Sequence, residues 1–265
     1  MGWLVGCINM LLKTAVHRSP SEMSMQAPRL KGYVALIAGG TEGVGRGIVR
    51  AFLEEGSLVV VPSSSAEQLE RLREELHEFP AEDLVTLFGD VGRLDEAERI
   101  REVLVGRVGR LDAIVDSLGR WHHAQSLVDL SLESWERTLR ENLTAHFAVI
   151  HTFIPMVRAQ GYGSYTFIKR ADPDDPGTHD DRSAATGSSQ EMLIRTLTEE
   201  LADTQVRVNE VIVCTESSMD EGTPEAPGRS FRDCVGLFTA WLASEEGATV
   251  RGAIIRPAVR SSSTR

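Results

Sequence analysis

The sequence predicts a doubly wound α/β domain, a single parallel sheet of about seven strands covered by helices on both faces. Three observations carry that prediction. Short apolar runs of strand length recur along the chain, apolar residues between them fall at helical spacing, and a glycine-rich turn follows the first run directly.

Taken in order, the first strand is read at Tyr33–Ile37 and leads into the turn Ala38-Gly39-Gly40-Thr41-Glu42-Gly43-Val44-Gly45. Val44, Ile48 and Phe52 then line one face of a helix. Strands follow at Leu58–Val61, Leu84–Phe88 and Ala113–Val115. Leu132, Trp135, Leu139, Leu143, Phe147 and Ile150 mark the fourth helix. The fifth strand is read at Ser164–Ile168, the fifth helix on Leu193, Leu197 and Leu201, and the last strands at Val206–Val213 and Ala253–Ile255. Strand, helix, strand repeated in this way requires right-handed crossovers, hence a parallel sheet of the Rossmann-like kind. No repeat or low-complexity linker divides it, so one domain is expected over 30–258, with an N-terminal extension at 1–29 and a C-terminal tail at 259–265. Two irregular stretches, Ala171–Arg182 and Thr215–Gly228, each follow a strand's carboxyl end, where such sheets place their binding crevice.

Composition narrows the function classes. The 265 residues are 42% hydrophobic and 25% charged, which is ordinary globular usage. The net charge of −11 repels phosphate backbones and anionic membranes, so neither nucleic acid nor a membrane surface is an expected partner. Cys7, Cys214 and Cys234 are odd in number and lack a CxxC spacing, which signals neither a disulfide framework nor a zinc site and suits a reducing cytoplasm. Trp3–Leu12 is apolar, yet it has no basic residues before it and falls short of the ~20 residues of a membrane span. The segment up to Pro28 reads as an amphipathic appendage or, preferably, as an extension upstream of a start at Met23 or Met25.

The glycine turn is the main chemical signal. Glycines allow a tight turn and a close backbone approach to a pyrophosphate, and a helix N-terminus supplies unpaired N–H groups and partial positive charge. A strand before it and a helix after it are the context a dinucleotide site needs. At this point the chain resembles the short-chain dehydrogenase/reductase family over Leu30 to Pro257. Gly39, Gly43 and Gly45 match its TGxxxGxG turn with Ala38 in place of Thr. Asp90-Val91 matches the pair that contacts adenine, and Leu111-Asp112-Ala113-Ile114-Val115 the lead into the fourth strand. Asn142 resembles the catalytic-helix asparagine, Arg207-Val208-Asn209 the IRVN segment, and Trp241-Leu242-Ala243-Ser244 the FLAS-like turn. The resemblance implies NAD or NADP as cofactor, held by Gly39, Thr41, Glu42, Gly43, Val44, Gly45, Ser63, Ser64, Asp90, Val91, Ser117 and Gly119, and it implies a homo-oligomer, a dimer or tetramer, joined through the fourth and fifth helices. The apolar residues on more than one side of the fourth helix agree with that association.

The family's chemistry is substituted. There a Tyr exchanges a proton while hydride moves to or from nicotinamide, and a Lys four residues later on the same helical face holds the ribose and favours the tyrosinate. Anchored on Leu193, Leu197, Glu200 and Leu201, the two positions fall on Ser183 and Gly187, and the fifth-strand serine position falls on or beside Arg170. Of the four expected catalytic residues only Asn142 stands. Tyr165 and Lys169 spell the motif literally, but on a strand residues four apart lie roughly 13 Å from each other. Asp116-Ser117-Leu118-Gly119 replaces NNAG, and Pro62-Ser63-Ser64-Ser65 has neither an acid for an NAD ribose nor an Arg for an NADP phosphate.

Other candidates are His122 and His123 as acid–base groups, against simple solvation, and Asp172, Asp174, Asp175, His179, Asp180 and Asp181 as oxygen ligands, against a hydrated loop, with no metal expected. Lys169 and Arg170 are read as partners of an anionic ligand or of those aspartates or, preferably, as members of a salt bridge closing the pocket, and Cys214 as a buried inert thiol. Three functions follow: a short-chain-dehydrogenase-fold binding or partner protein without hydride transfer, a non-redox lyase, dehydratase or cyclisation catalyst, or an NAD(P)-dependent oxidoreductase with an unusual proton donor. The first is the expected one, with a small-molecule ligand in the cleft.

Overall fold

The computed structural model describes residues 27–119, 127–171, 181–214 and 230–255. Seven strands form one parallel sheet in the order β3-β2-β1-β4-β5-β6-β7. They are β1 (Val34–Ala38), β2 (Leu58–Ser63), β3 (Leu84–Phe88), β4 (Ala113–Asp116), β5 (Tyr162–Ala171), β6 (Gln205–Cys214) and β7 (Ile254–Ile255). Each lies where the apolar runs place it. β5 and β6 are longer than expected because they pair along their whole length, from Tyr162 opposite Gln205 to Ala171 opposite Cys214. The helices are α1 (Gly43–Glu54), α2 (Ala66–Glu75), α3 (Leu94–Arg107), α4 (Leu132–Leu139), α5 (Ala145–Gln160), α6 (Asp181–Glu200) and α7 (Phe231–Ala243).

The fourth helix of the sequence reading is two helices. A π turn at Arg140–Thr144 separates α4 from α5, shifting the helical phase in the middle of the apolar series. This leaves Leu132 71% and Phe147 43% exposed, while Ala148, Val149 and Phe153 are buried against the sheet.

Two apolar layers fill the two faces. Ile37, Val59, Val61, Ile48 and Phe52 belong to the layer shared by α1, α2 and α7; Leu36, Ile114, Tyr165, Val149 and Phe153 belong to the layer under α3, α5 and α6. Alternate strand residues feed opposite layers, as the two-residue pleat requires. α1 and α7 cross backbone to backbone, since a Cβ on Gly47 would lie 2.4 Å from the Arg232 carbonyl and one on Gly236 2.3 Å from that of Gly47.

Arg207 explains one of the sequence matches. Its buried guanidinium donates to the carbonyls of Leu242, Ala243, Ser244 and Gly247, groups that the end of α7 leaves without intrahelical partners. Burial lowers its pKa from the ordinary arginine value, so its charge is held by those carbonyls rather than by a carboxylate. Asn209, two residues on, donates to Val250 O and accepts from Ala253 N, which fixes the approach to β7. At the amino edge, Arg29 pairs with Glu55 at 2.9 Å.

Strand order reverses between β1 and β4, and beyond the carboxyl ends at such a reversal is where these sheets place their binding crevice. The glycine turn stands on one side of this point, and Ser117–Gly119 and the end of β5 on the other.

Candidate cofactor cleft and active site

The glycine turn is held by backbone packing. Gly39 has φ +78, and a Cβ there would lie 2.5 Å from Ser117 O. One on Gly45 would lie 2.0 Å from Gly39 O, so both positions exclude any side chain. Gly43, at φ +52, faces open space with no atom within 4 Å of where its Cβ would stand. The turn therefore closes on itself below and leaves its upper face and the first N–H groups of α1 free for an anion. That is the shape a dinucleotide pyrophosphate needs, and this half of the cleft fits the cofactor. Val44 and Val91 contribute from their backbones, since their side chains belong to the two core layers. Asp90 Oδ1 accepts from Gly92 N at 2.8 Å, which spends one carboxylate oxygen on the turn after β3.

At the end of β2 the structure supplies a residue that the sequence reading missed. Gln68, in the first turn of α2, accepts from Thr41 Oγ1 at 3.1 Å and Ser63 Oγ at 3.2 Å, while its Nε2 donates to Glu42. Three of the expected cofactor residues are thus tied together by a fourth, and Ser64 stands exposed beside them. The ribose end of the cleft carries an amide and a carboxylate in place of an acid on β2. The serine-rich Pro62–Ser65 run contained the signal: Ser65 caps α2 by accepting from Gln68 N at 3.3 Å, which fixes where Gln68 stands.

The opposite wall is built by β4, β5, the π turn and α6. The π turn frees the carbonyl of Asn142, which accepts from Gln190 on α6. Gly119, at φ +101, passes so close that a Cβ there would lie 2.9 Å from Asn142 Oδ1. Arg170 Nη2 donates to Gly119 O at 2.9 Å, which brings Asn142, Gly119 and Arg170 together. Ser117 is buried, its N–H donating to Ala38 O at 3.0 Å, and it joins the two walls.

Ser183 lies on the first turn of α6, and Gly187 one turn later. A Cβ on Gly187 would touch Lys169 Nζ at 3.7 Å, so the cation beside that helical face comes from β5. Lys169 is paired with Glu191, one further turn along α6. The ion pair is of the salt-bridge kind that the sequence reading preferred for this residue, with a carboxylate on α6 as its partner. Tyr165 is buried in the sheet, and the literal YxxxK is not a functional pair. His122, His123, residues 172–180 and all of Thr215–Gly228 lie outside the described residues, as do the side chains of Ser183 and Cys214. Among the described residues no group of three or more His, Cys, Asp or Glu gathers to hold a metal.

Beneath this wall is a polar cluster that no motif announces. Asp116, fully buried at the end of β4, accepts from Tyr165 Oη at 2.9 Å and Leu118 N at 3.2 Å. It also meets His146 Nδ1 at 3.0 Å. Three donors converge on this one carboxylate, and its contact with the ring places the imidazole proton on Nδ1. Burial, reinforced by the Asp116 charge, pushes the Tyr165 hydroxyl well above the usual tyrosine range. The His146 ring stands edge-on to Phe167, with centroids 4.8 Å apart. Asp116 in place of the NNAG asparagine was the visible trace of this cluster, but only the fold brings His146 to it.

Comparison with known proteins agrees with this architecture. The 3-oxoacyl-[acyl-carrier-protein] reductase FabG of Thermotoga maritima is 28% identical over 240 residues, covering 86% of this chain and 96% of that protein. The cis-2,3-dihydrobiphenyl-2,3-diol dehydrogenase of Paraburkholderia xenovorans is 31% identical over 143 residues, 52% of this chain and 50% of that protein, so this match spans about half of each. A short-chain type dehydrogenase/reductase from Mycobacterium ulcerans superposes with a TM-score of 0.75 at 20% identity, over 86% of this chain and 88% of that one, which supports the fold alone. Among the described residues no helix is long and apolar enough to cross a membrane. The short chain dehydrogenase family model matches residues 33–226, and with the seven-stranded parallel sheet and its glycine turn this places the chain in the short-chain dehydrogenase/reductase family, whose members generally bind NAD(P).

Proposed function

We propose that this chain binds a small ligand in the cleft, on a nucleotide-binding scaffold, and does not transfer hydride by the family's tyrosine–lysine route; its role is that of a binding or partner subunit. The observation that carries this reading is Gly187. It stands where the helix face needs a cation, and the nearest ammonium, that of Lys169, belongs to another element and is neutralised by Glu191. Serine at 183 is a far poorer proton donor than tyrosine, and the guanidinium of Arg170 does not readily cycle a proton. The names of the relatives describe dehydrogenases and a reductase, and those activities belong to those proteins.

Of the nucleotides, this reading favours one without a 2′-phosphate, because the side chains tied together at the ribose end are the Glu42 carboxylate and the Gln68 amide. Self-association through α4, α5 and α6, which are the fourth and fifth helices of the sequence reading, is part of the same proposal, supported by exposed Leu132 and Phe147, and a reducing cytoplasm is its setting. A second reading, a non-redox enzyme on this scaffold, is favoured by the Asp116–His146 pair.

The test is a fluorescence titration with NADH and NADPH, followed by absorbance at the reduced-nicotinamide band against a panel of ketones and alcohols. NADH binding without turnover is the expected result. Turnover that survives Asn142→Ala would overturn the reading and leave the third function, an oxidoreductase with an unusual proton donor.

A further inference from the structure

One atom in the wall of the cleft has no assigned work. Nε2 of His146 is buried and makes no hydrogen bond, although the residue is only 1% exposed. An apolar side chain of similar width would fill this slot beside Phe167 without leaving a polar atom unpaired, so packing alone does not account for a histidine here.

We propose that Asp116 and His146 form a proton-transfer dyad serving the cleft, with Nε2 taking a proton from a water or from the hydroxyl group of a small ligand seated against Gly119 and Asn142. The proposal rests on the ligand-binding reading of the cleft and adds chemistry to it. Asp116 fixes the tautomer by holding the Nδ1 proton, which leaves the Nε2 lone pair as the basic position. The direction in which Gly119 lacks a side chain is bounded by two acceptors: a Cβ there would lie 2.9 Å from Asn142 Oδ1 and 3.7 Å from His146 Nε2. Asn142 and His146 are four residues apart, neighbours on one helical face. A group carrying a donor hydrogen satisfies Nε2, and an aliphatic one leaves it unmet.

Arg170 completes the arrangement. Its guanidinium reaches the carbonyl of Gly119, which puts a permanent positive charge beside the oxygen that loses the proton. In the step, the O–H bond of the ligand breaks, its electron pair stays on oxygen, and the proton forms a bond with Nε2. The imidazolium is held by Asp116 and the alkoxide faces Arg170. No oxidant or reductant enters, and the reverse step restores both groups.

Among the described residues, the charged and titratable groups around the ring are Asp116 from β4, Tyr165 from β5 and, across Gly119, Arg170 from the end of β5. Gln190 on α6 is uncharged, and Lys169 and Glu191 neutralise one another. Tyr165 stays protonated, so it orients the carboxylate without adding charge.

Nitrogen-15 NMR of the histidines in the full-length protein tests this, with His146→Gln assigning the signal. The expected result is reversible protonation at Nε2 while the far-ultraviolet dichroism stays native. Asp116→Asn should cut the protonated fraction at a given pH by about tenfold, the effect of removing one close counter-charge. As a hydroxyl probe, 4-nitrophenol should ionise more readily with the native protein than with His146→Gln, which keeps the fold measurement and the chemical one separate. A ring that stays neutral from pH 5 to the onset of unfolding, or nitrophenol that ionises identically with both proteins, overturns the dyad. Neither readout uses a nicotinamide, so hydride turnover would overturn the preceding reading and leave this one standing.

Discussion

The two walls of the cleft are held in place by different means. On the β1–α1 side, Gly39 and Gly45 are fixed by main-chain contacts that leave no room for a side chain. On the β4–β5–α6 side, side chains hold the wall: Arg170 donates to Gly119 O, Gln190 to Asn142 O, and Tyr165 and His146 meet Asp116. The first wall is demanded by the chain's own geometry and the second only by chemistry. A fold can therefore keep its nucleotide turn after the reacting groups beside it have changed, because the turn's glycines are needed for folding whether or not a cofactor is turned over.

The sharpest way to break this comparison is Gly45→Ala. The added methyl has a backbone oxygen 2.0 Å away, and the expected loss is about 3 kcal/mol or more, read as a lowered urea midpoint or as failure to fold. A mild effect would mean that the turn relaxes freely and that the first wall is no more constrained than the second.

The next effect belongs to the second wall and depends on pH. The hydroxyl of Tyr165 is raised by burial, so the folded protein keeps a proton that the unfolded chain releases near pH 10. Its contribution is complete below that pH and is lost as pH rises toward the folded value, at up to about 1.4 kcal/mol per pH unit. Tyr165→Phe should remove this alkaline slope while costing about 1 kcal/mol at neutral pH, the loss of one hydrogen bond to Asp116. Urea unfolding between pH 8 and 11 for the two proteins gives the difference. Tyr33, also raised, is present in both and cancels. Parallel pH profiles would show that Tyr165 is not sealed in the sheet.

The smallest effect has the opposite sign. Gly187→Ala introduces a Cβ in ordinary contact with Lys169, inside a helix, and should stabilise the protein by about 0.5–1 kcal/mol. Two glycine-to-alanine changes, one in each wall, would then move the midpoint in opposite directions. A destabilising Gly187→Ala would mean that this position is as tightly packed as the nucleotide turn.

Much of the first wall was legible from residues in order. The apolar run, the glycines and the helical spacing after them are local features, and each strand appears where its run lies because a buried parallel strand needs continuous apolar residues. The break between α4 and α5 was not legible, since a π turn at Arg140–Thr144 leaves the apolar spacing intact on either side and shifts only its phase. Gln68 was missed because its partners Thr41, Glu42 and Ser63 come from two other elements.

The sequence by itself determined the sheet, its order of elements and the nucleotide turn, because these depend on residue type at fixed local spacing. Only the tertiary structure decided which groups meet on the second wall. Lys169 reaches Gly187 from a strand, and Asp116 meets Tyr165 and His146 across the sheet and a helix. Those encounters join residues 18 to 49 positions apart, and no periodicity in a linear chain records which residues a crossover will bring together.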